Sequence, residues 1–159
     1  MEDKSYYKTI ECSIKNEVDD SVKSFEHLSP KMKIRQIETL LRDYLNASNS
    51  ANYYAQREKK NDVFAVQRVE WEYREQLSTT KIRSLINILS REDLELYVGM
   101  LQKYFDSAMA EKDIKKKFQK YDFVLAGCQL CSIQEVDILS KINEIKNNCK
   151  NIIEDIRTM

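Results

Sequence analysis

Apolar residues recur at helical spacing through the last part of the chain. Between Ser132 and Ile156 they follow one another at steps of four and three, at positions Ile138, Ile142, Ile145, Cys149, Ile152 and Ile156. Only a helix aligns such residues on one face, and a period near 3.5 residues is typical of a helix that lies along another helix. The pattern therefore predicts a long C-terminal helix with an apolar seam that needs a partner.

The first third of the chain is patterned as two further helices. Residues 3–28 carry an apolar stripe at Tyr7, Ile10, Ile14, Val18, Val22, Phe25 and Leu28. Ser29 and Pro30 form an N-cap followed by Pro at the first helical position, so a second helix is predicted from there to about Leu45. The Asn- and Ser-rich segment 46–52 predicts a loop, because its side chains compete with the backbone for hydrogen bonds.

Residues 53–77 carry two conflicting periods. Val66, Val69, Tyr73 and Leu77 fit a helix, whereas Val69, Trp71 and Tyr73 alternate with charged residues as a half-buried strand would. The helix is preferred, because Ala, Gln, Glu and Arg favour it and because a two-stranded ribbon without a larger sheet is weak.

Capping residues mark the remaining helices. Ser78 to Thr80 predicts the start of a short helix, Ser90 with Asp93 opens the predicted core helix, and Ser132 with Glu135 forms a capping box before the last helix. Between the last two caps, a further helix is predicted at Ile114, Phe118, Tyr121, Leu125, Cys128 and Cys131. With two Gly and one Pro in 159 residues, the chain is predicted to be all-α: one compact bundle of six or seven helices, in a single domain spanning residues 1–159.

The amino-acid composition limits the kinds of partner that the chain is expected to bind. Twenty-six basic residues cancel twenty-six acidic ones, so no global field draws the molecule to nucleic acid or to a membrane. No apolar run approaches the roughly 20 residues that span a bilayer, and the N-terminus lacks the features of a signal peptide. We therefore expect no membrane partner, a cytoplasmic location and four cysteines that stay reduced.

No catalytic, cofactor-binding or metal-binding residue is predicted. Cys128 and Cys131 form a C-x-x-C pair in an apolar stretch, where small buried hydrophobes are a better interpretation than a zinc site, which usually draws on two such pairs. His27, the one imidazole, ends the first helix, where it suits the helix dipole. The sequence shows no Ser-His-Asp set, Gly-rich phosphate loop or acidic pair.

Two groups of basic residues indicate nucleic acid as an alternative partner. The first is a run of five lysines, at Lys112, Lys115, Lys116, Lys117 and Lys120. The second lies in the segment Leu-Ser-Thr-Thr-Lys-Ile-Arg at residues 77–83, which resembles the Leu-Thr-Thr-Ser-Lys-Leu-Arg segment of the small helical subunit in type III CRISPR effector complexes. That family lines a filament and contacts RNA through basic residues, so the resemblance implies RNA contacts at Lys81 and Arg83.

The preferred hypothesis is a non-enzymatic helical protein–protein interaction module, or a subunit of a larger assembly. Its predicted partner is another protein or a second copy of the chain, bound through the C-terminal helix at Ile145, Ile152 and Ile156. The alternative is an RNA-binding helical small subunit of a nucleoprotein complex.

Overall fold

The computed structural model describes residues 4–158, with side chains from Thr9 onward. Within them the chain forms six α-helices and no strand, which confirms the predicted all-α fold. The helices are α1 (Lys4–Glu26), α2 (Pro30–Glu58), α3 (Ala65–Asn87), α4 (Arg91–Ala110), α5 (Ile114–Gln129) and α6 (Val136–Thr158), with one 3₁₀ turn at Asp62–Phe64. Residue 3, where the first helix was predicted to begin, and the side chain of Tyr7 lie outside the described part.

Helix α2 is much longer than predicted, and the loop predicted at residues 46–52 is wrong. Ala47 and Ala51, four residues apart, are buried there, while the Asn side chains of the segment are exposed. Small side chains allow a neighbouring helix to approach closely, and α3 packs along α2 over this region. Tertiary packing thus outweighs the low helix propensity of Asn and Ser.

Helix α3 is one continuous helix, which confirms helix rather than strand for residues 65–77. The break predicted at Ser78 to Thr80 is wrong: Ser78 is buried, and the Thr80 hydroxyl donates to the carbonyl oxygen of Gln76 at 2.8 Å. Because α3 continues through these residues, their amides bond within the helix and no new N-cap is needed. Helix α1 lies against α3, where the hydroxyls of Ser13 and Tyr73 are 3.1 Å apart.

Two of the three predicted caps at the other helix starts are confirmed. The Ser29 hydroxyl accepts from the amide of Met32 at 3.3 Å, and the Ser90 hydroxyl accepts from the amide of Asp93 at 3.1 Å. The capping box at Ser132 is wrong, because α6 begins at Val136. Residues 131–135 follow a non-helical path before α6, with the Cys131 side chain buried.

The core runs from the end of α1 to α6. Its largest fully buried side chains are Phe25, Ile37, Leu41, Ile82, Leu85, Ile86, Tyr97, Leu101, Tyr121, Val124, Ile138 and Ile142. Helix α6 packs mainly on α5 and α4, whereas α1 packs mainly on α3. The apolar seam of α6 is therefore covered mostly by helices of the same chain.

The seam of α6 also departs from the predicted register. Ile138, Ile142, Ile145 and Cys149 are buried as the pattern predicts, but the next buried residue is Ile153 and not Ile152. The steps become four, three, four and four, because a straight helix has 3.6 residues per turn and drifts away from a strict heptad.

Candidate interaction surfaces

The three predicted interaction residues on α6 differ in exposure. Ile145 is 6% exposed and belongs to the core of the same chain. Its side chain is already covered within the chain, so it offers little surface to a second chain, and its role as a contact stays a prediction. Ile152 and Ile156 flank the buried line, are half-buried and pack against the core from outside. They retain some accessible surface, but they form no separate apolar face.

A larger uncovered surface lies at the far end of the α2–α3 hairpin, and sequence reasoning missed it. No residue from 52 to 77, here called the hairpin tip, is fully buried. Val63, Val66 and Val69 are 65%, 74% and 41% exposed, and Tyr53 is half exposed. The conflicting periods of residues 53–77 could have indicated this surface. A helix that lacks a continuous apolar stripe has no face that packs fully against a core.

The hairpin tip is held together by its own contacts. The Arg68 guanidinium pairs with Glu58 across the turn and with Glu72 at 2.9 Å along α3. The rings of Tyr54 and Phe64 lie with their centroids 6.2 Å apart between α2 and the 3₁₀ turn. These links join the two helices of the tip while the valines face outward.

The predicted lysine run lies where α4 ends and α5 begins, here called the lysine corner (residues 109–120). Asp113 caps α5 by accepting from the amide of Lys116 at 3.0 Å. Lys120 donates to Glu111 and to the Ser107 hydroxyl, each at 2.8 Å. Its hydrogen bond is the main reason that the pKa of Glu111 is lowered. The acids of the corner are thus occupied within the chain.

The lysines of the corner fall into two groups. Lys117 turns back toward α4, where its ammonium donates to the carbonyl oxygen of Met109 at 3.4 Å, and Lys120 is bound as described. Lys112, Lys115 and Lys116 are exposed, and their ammonium groups have no hydrogen-bond or ion-pair partner among residues 4–158. The corner therefore presents three exposed ammonium groups that form no hydrogen bond or ion pair with the described side chains, although the Lys116 charge contributes to lowering the pKa of Glu111.

The other predicted nucleic-acid contacts lie on α3. The Lys81 ammonium is 3.5 Å from a carboxylate oxygen of Glu17 on α1, so it forms part of the α1–α3 contact. Arg83 is exposed. The structure therefore places these two residues on a different helix from the lysine corner and gives Lys81 a partner within the chain.

A groove between α2, α4 and α5 opens beside the lysine corner. Its volume is about 580 Å³, and Lys116 and Lys120 form one side of it. The rings of Tyr104 and Phe123 lie in it with their centroids 4.2 Å apart. The side chains of Asn49 and Gln119 also line it and hydrogen-bond to no other described residue. Sequence reasoning missed this groove, because its residues come from three helices whose contacts no local pattern reveals.

One polar network fixes the wall of this groove. Arg42 donates to Glu38 at 2.8 Å and also contacts the hydroxyl of Tyr104, which in turn donates to Glu38. Partial burial, followed by the neighbouring Glu38 carboxylate, raises the pKa of Tyr104. The phenol thus stays neutral near pH 7, and its contacts with Glu38 and Arg42 hold the ring of Tyr104 in place.

The cysteines of the C-x-x-C pair lie in the core together with Cys149. Burial raises the pKa of Cys128 to about 11 and the pKa values of Cys131 and Cys149 to about 12. All four cysteines of the chain are free thiols. Within residues 4–158, no group of three or more His, Cys, Asp or Glu side chains is arranged to hold a metal ion.

No protein-family model, curated protein or solved structure matches the chain. None of the described helices combines the length and the apolar character required to cross a bilayer.

Proposed function

We propose that the chain is a non-enzymatic protein–protein interaction module, and that its hairpin tip binds a second copy of the chain to build a larger assembly. One observation carries the proposal: residues 52–77 contain no fully buried side chain, yet they present Val63, Val66 and Val69 on an ordered hairpin. Removing exposed aliphatic groups from water lowers the free energy, so a partner that covers these valines would be bound favourably.

The charges of the chain support a second copy as the occupant. The formal net charge is zero, so two copies do not repel each other over long range. The tip itself carries both signs, in the pairs Glu70–Arg74 and Arg68–Glu72 along α3. In a symmetric dimer the same surface meets itself, and a surface of mixed sign can offer opposite charges to its copy. The free thiols support the cytoplasm as the proposed location.

Light scattering over a concentration series tests this proposal. The wild-type chain should show a molecular mass that rises from monomer toward dimer. Val66→Lys should shift the chain to monomer, because the dimer would bury an unpaired charge. Val136→Lys is the matched control: Val136 is 79% exposed against 74% for Val66, but it lies at the start of α6.

A wild-type chain that remains monomeric at every concentration would contradict self-association. Equal loss of dimer in the two lysine variants would place the contact outside the hairpin tip. Circular dichroism of each variant should match the wild type, since both valines are exposed and their replacement leaves the core unchanged.

A further inference from the structure

The lysine corner has a charge surplus that the fold does not use. Residues 111–120 contain five lysines against two acids, Glu111 and Asp113. Glu111 is bound by Lys120, and Asp113 is the N-cap of α5. The ammonium groups of Lys112, Lys115 and Lys116 remain free on one short stretch of surface. Like charges on neighbouring residues of one segment repel one another, and an anionic ligand would relieve that repulsion.

The groove beside these lysines offers a different chemistry. Lys116 belongs to both surfaces, because it is free at the corner and also lines the groove. Behind it lie the half-buried ring of Tyr104 and the unbonded amides of Asn49 and Gln119. The volume of about 580 Å³ falls within the range of roughly 300–1,000 Å³ found for small-ligand sites. Amides can hydrogen-bond to the edge of a base, and an aromatic ring can contact its face.

We propose that the lysine corner and this groove together bind single-stranded nucleic acid. Phosphates lie on Lys112, Lys115 and Lys116, and one nucleoside enters the groove toward Tyr104, Asn49 and Gln119. This site lies on α4, α5 and the middle of α2, apart from the hairpin tip, so it does not depend on self-association.

An anionic bilayer is the competing occupant, because Met109 and Ile114 are 55% and 59% exposed beside the lysines and could enter a lipid surface. The groove favours nucleic acid over lipid. Its amides and aromatic ring lie in a depression. An unstacked base can enter this depression, whereas the flat surface of a bilayer cannot reach into it. Single strands suit the site better than a duplex, since only unpaired bases can be turned outward.

Fluorescence anisotropy with a labelled 20-nucleotide oligouridine tests the proposal. The wild-type chain should bind, and its affinity should fall with salt with a log–log slope of roughly −2, as expected for three phosphate contacts on a single strand. The triple variant Lys112→Ala, Lys115→Ala, Lys116→Ala should bind at least about tenfold more weakly and with a smaller slope. Gln119→Ala should weaken binding without changing the slope, because it removes a contact to the nucleoside.

A charge-matched control separates this site from general attraction. The control is a triple variant with alanine at Lys15, Lys141 and Lys150, three exposed lysines outside the lysine corner. It should bind oligouridine with the same affinity as the wild type. Equal loss in both triple variants would overturn the proposal, as would an absence of salt-dependent binding by the wild type. Sedimentation with vesicles containing 30% phosphatidylserine tests the competitor: binding to vesicles but not to oligouridine, lost in Ile114→Asp, would replace nucleic acid with lipid.

Discussion

The hydroxyl of Tyr97 on α4 donates a hydrogen bond of 2.6 Å to the carbonyl oxygen of Gly127 on α5. Gly127 lies in the last turn of α5, where the amide of Cys131 donates to Cys128 and leaves the Gly127 carbonyl without that partner. Tyr97→Phe should therefore leave a buried acceptor unpaired and lower the free energy of unfolding by about 1–3 kcal/mol. Urea denaturation followed by circular dichroism measures the change.

Tyr121 provides the matched control for that substitution. It is also fully buried, but its hydroxyl has no hydrogen-bond partner among the described residues. Tyr121→Phe removes an unsatisfied polar atom, so stability should stay the same or rise. A loss as large as that of Tyr97→Phe would show that ring packing, and not the hydrogen bond, dominates at both positions.

The two glycines should respond to alanine with opposite signs. A Cβ atom at Gly127 would lie 2.4 Å from Cδ2 of Leu101 and 3.1 Å from the hydroxyl oxygen of Tyr97. Because Leu101 is fully buried and cannot move freely, Gly127→Ala should cost about 1–3 kcal/mol. At Gly99 a Cβ atom meets nothing within 4 Å, so Gly99→Ala in α4 should stabilise by about 0.5–1 kcal/mol. Thermal unfolding of both variants gives the signs directly.

The helices could be predicted where a local pattern determines them. The caps at Ser29 and Ser90 depend on hydrogen bonds to residues three positions along the chain, and the buried positions Ile138 to Cys149 were visible as a periodic apolar spacing. The segment 46–52 could not be predicted, because the burial of Ala47 and Ala51 depends on distant α3. Wherever a long-range contact outweighs a local preference, the sequence pattern gives the wrong boundary.

The same distinction applies to the candidate surfaces. The five lysines of the run lie between residues 112 and 120, so their clustered charge was visible in the sequence. The sequence does not reveal which of these ammonium groups remain free, because that depends on contacts with Ser107 and Met109 in the preceding helix. The groove beside it brings together Asn49, Tyr104 and Gln119 from three helices, and no spacing in the sequence indicates that juxtaposition.

Thiol reactivity should separate Cys12 from the other cysteines. Cys12 is exposed, whereas Cys128, Cys131 and Cys149 are buried and their pKa values are raised to between about 11 and about 12. Since the thiolate is the reactive form, Ellman's reagent at pH 8 should titrate one thiol rapidly in the folded chain and all four in urea. Rapid reaction of the Cys12→Ser variant would contradict the assignment of the other three as core residues.

The same raised pKa values predict a loss of stability at alkaline pH. In the unfolded chain these thiols titrate near 9.0, and in the folded chain at about 11 to 12, with burial as the main cause. Above pH 9 the folded chain therefore binds more protons than the unfolded chain. Its stability is intact below that pH and decreases as the pH rises toward 12. The urea midpoint should fall between pH 7.5 and 10. It should fall less in the variant with alanine at Cys128, Cys131 and Cys149.

The register of α6 can be tested with two adjacent isoleucines. A strict heptad places Ile152 on the buried line, whereas the structure places Ile153 there at 7% exposure and leaves Ile152 half-buried at the edge. Ile153→Ala should cost about 2–5 kcal/mol, because it removes buried methyl and methylene groups and leaves a cavity against the core. Ile152→Ala should cost less than half as much, since water can fill part of the vacated space. Both variants change the same atoms in the same helix, so intrinsic helix propensity cancels from the comparison. Urea denaturation ranks them, and a larger loss for Ile152→Ala would show that the heptad register governs how α6 packs.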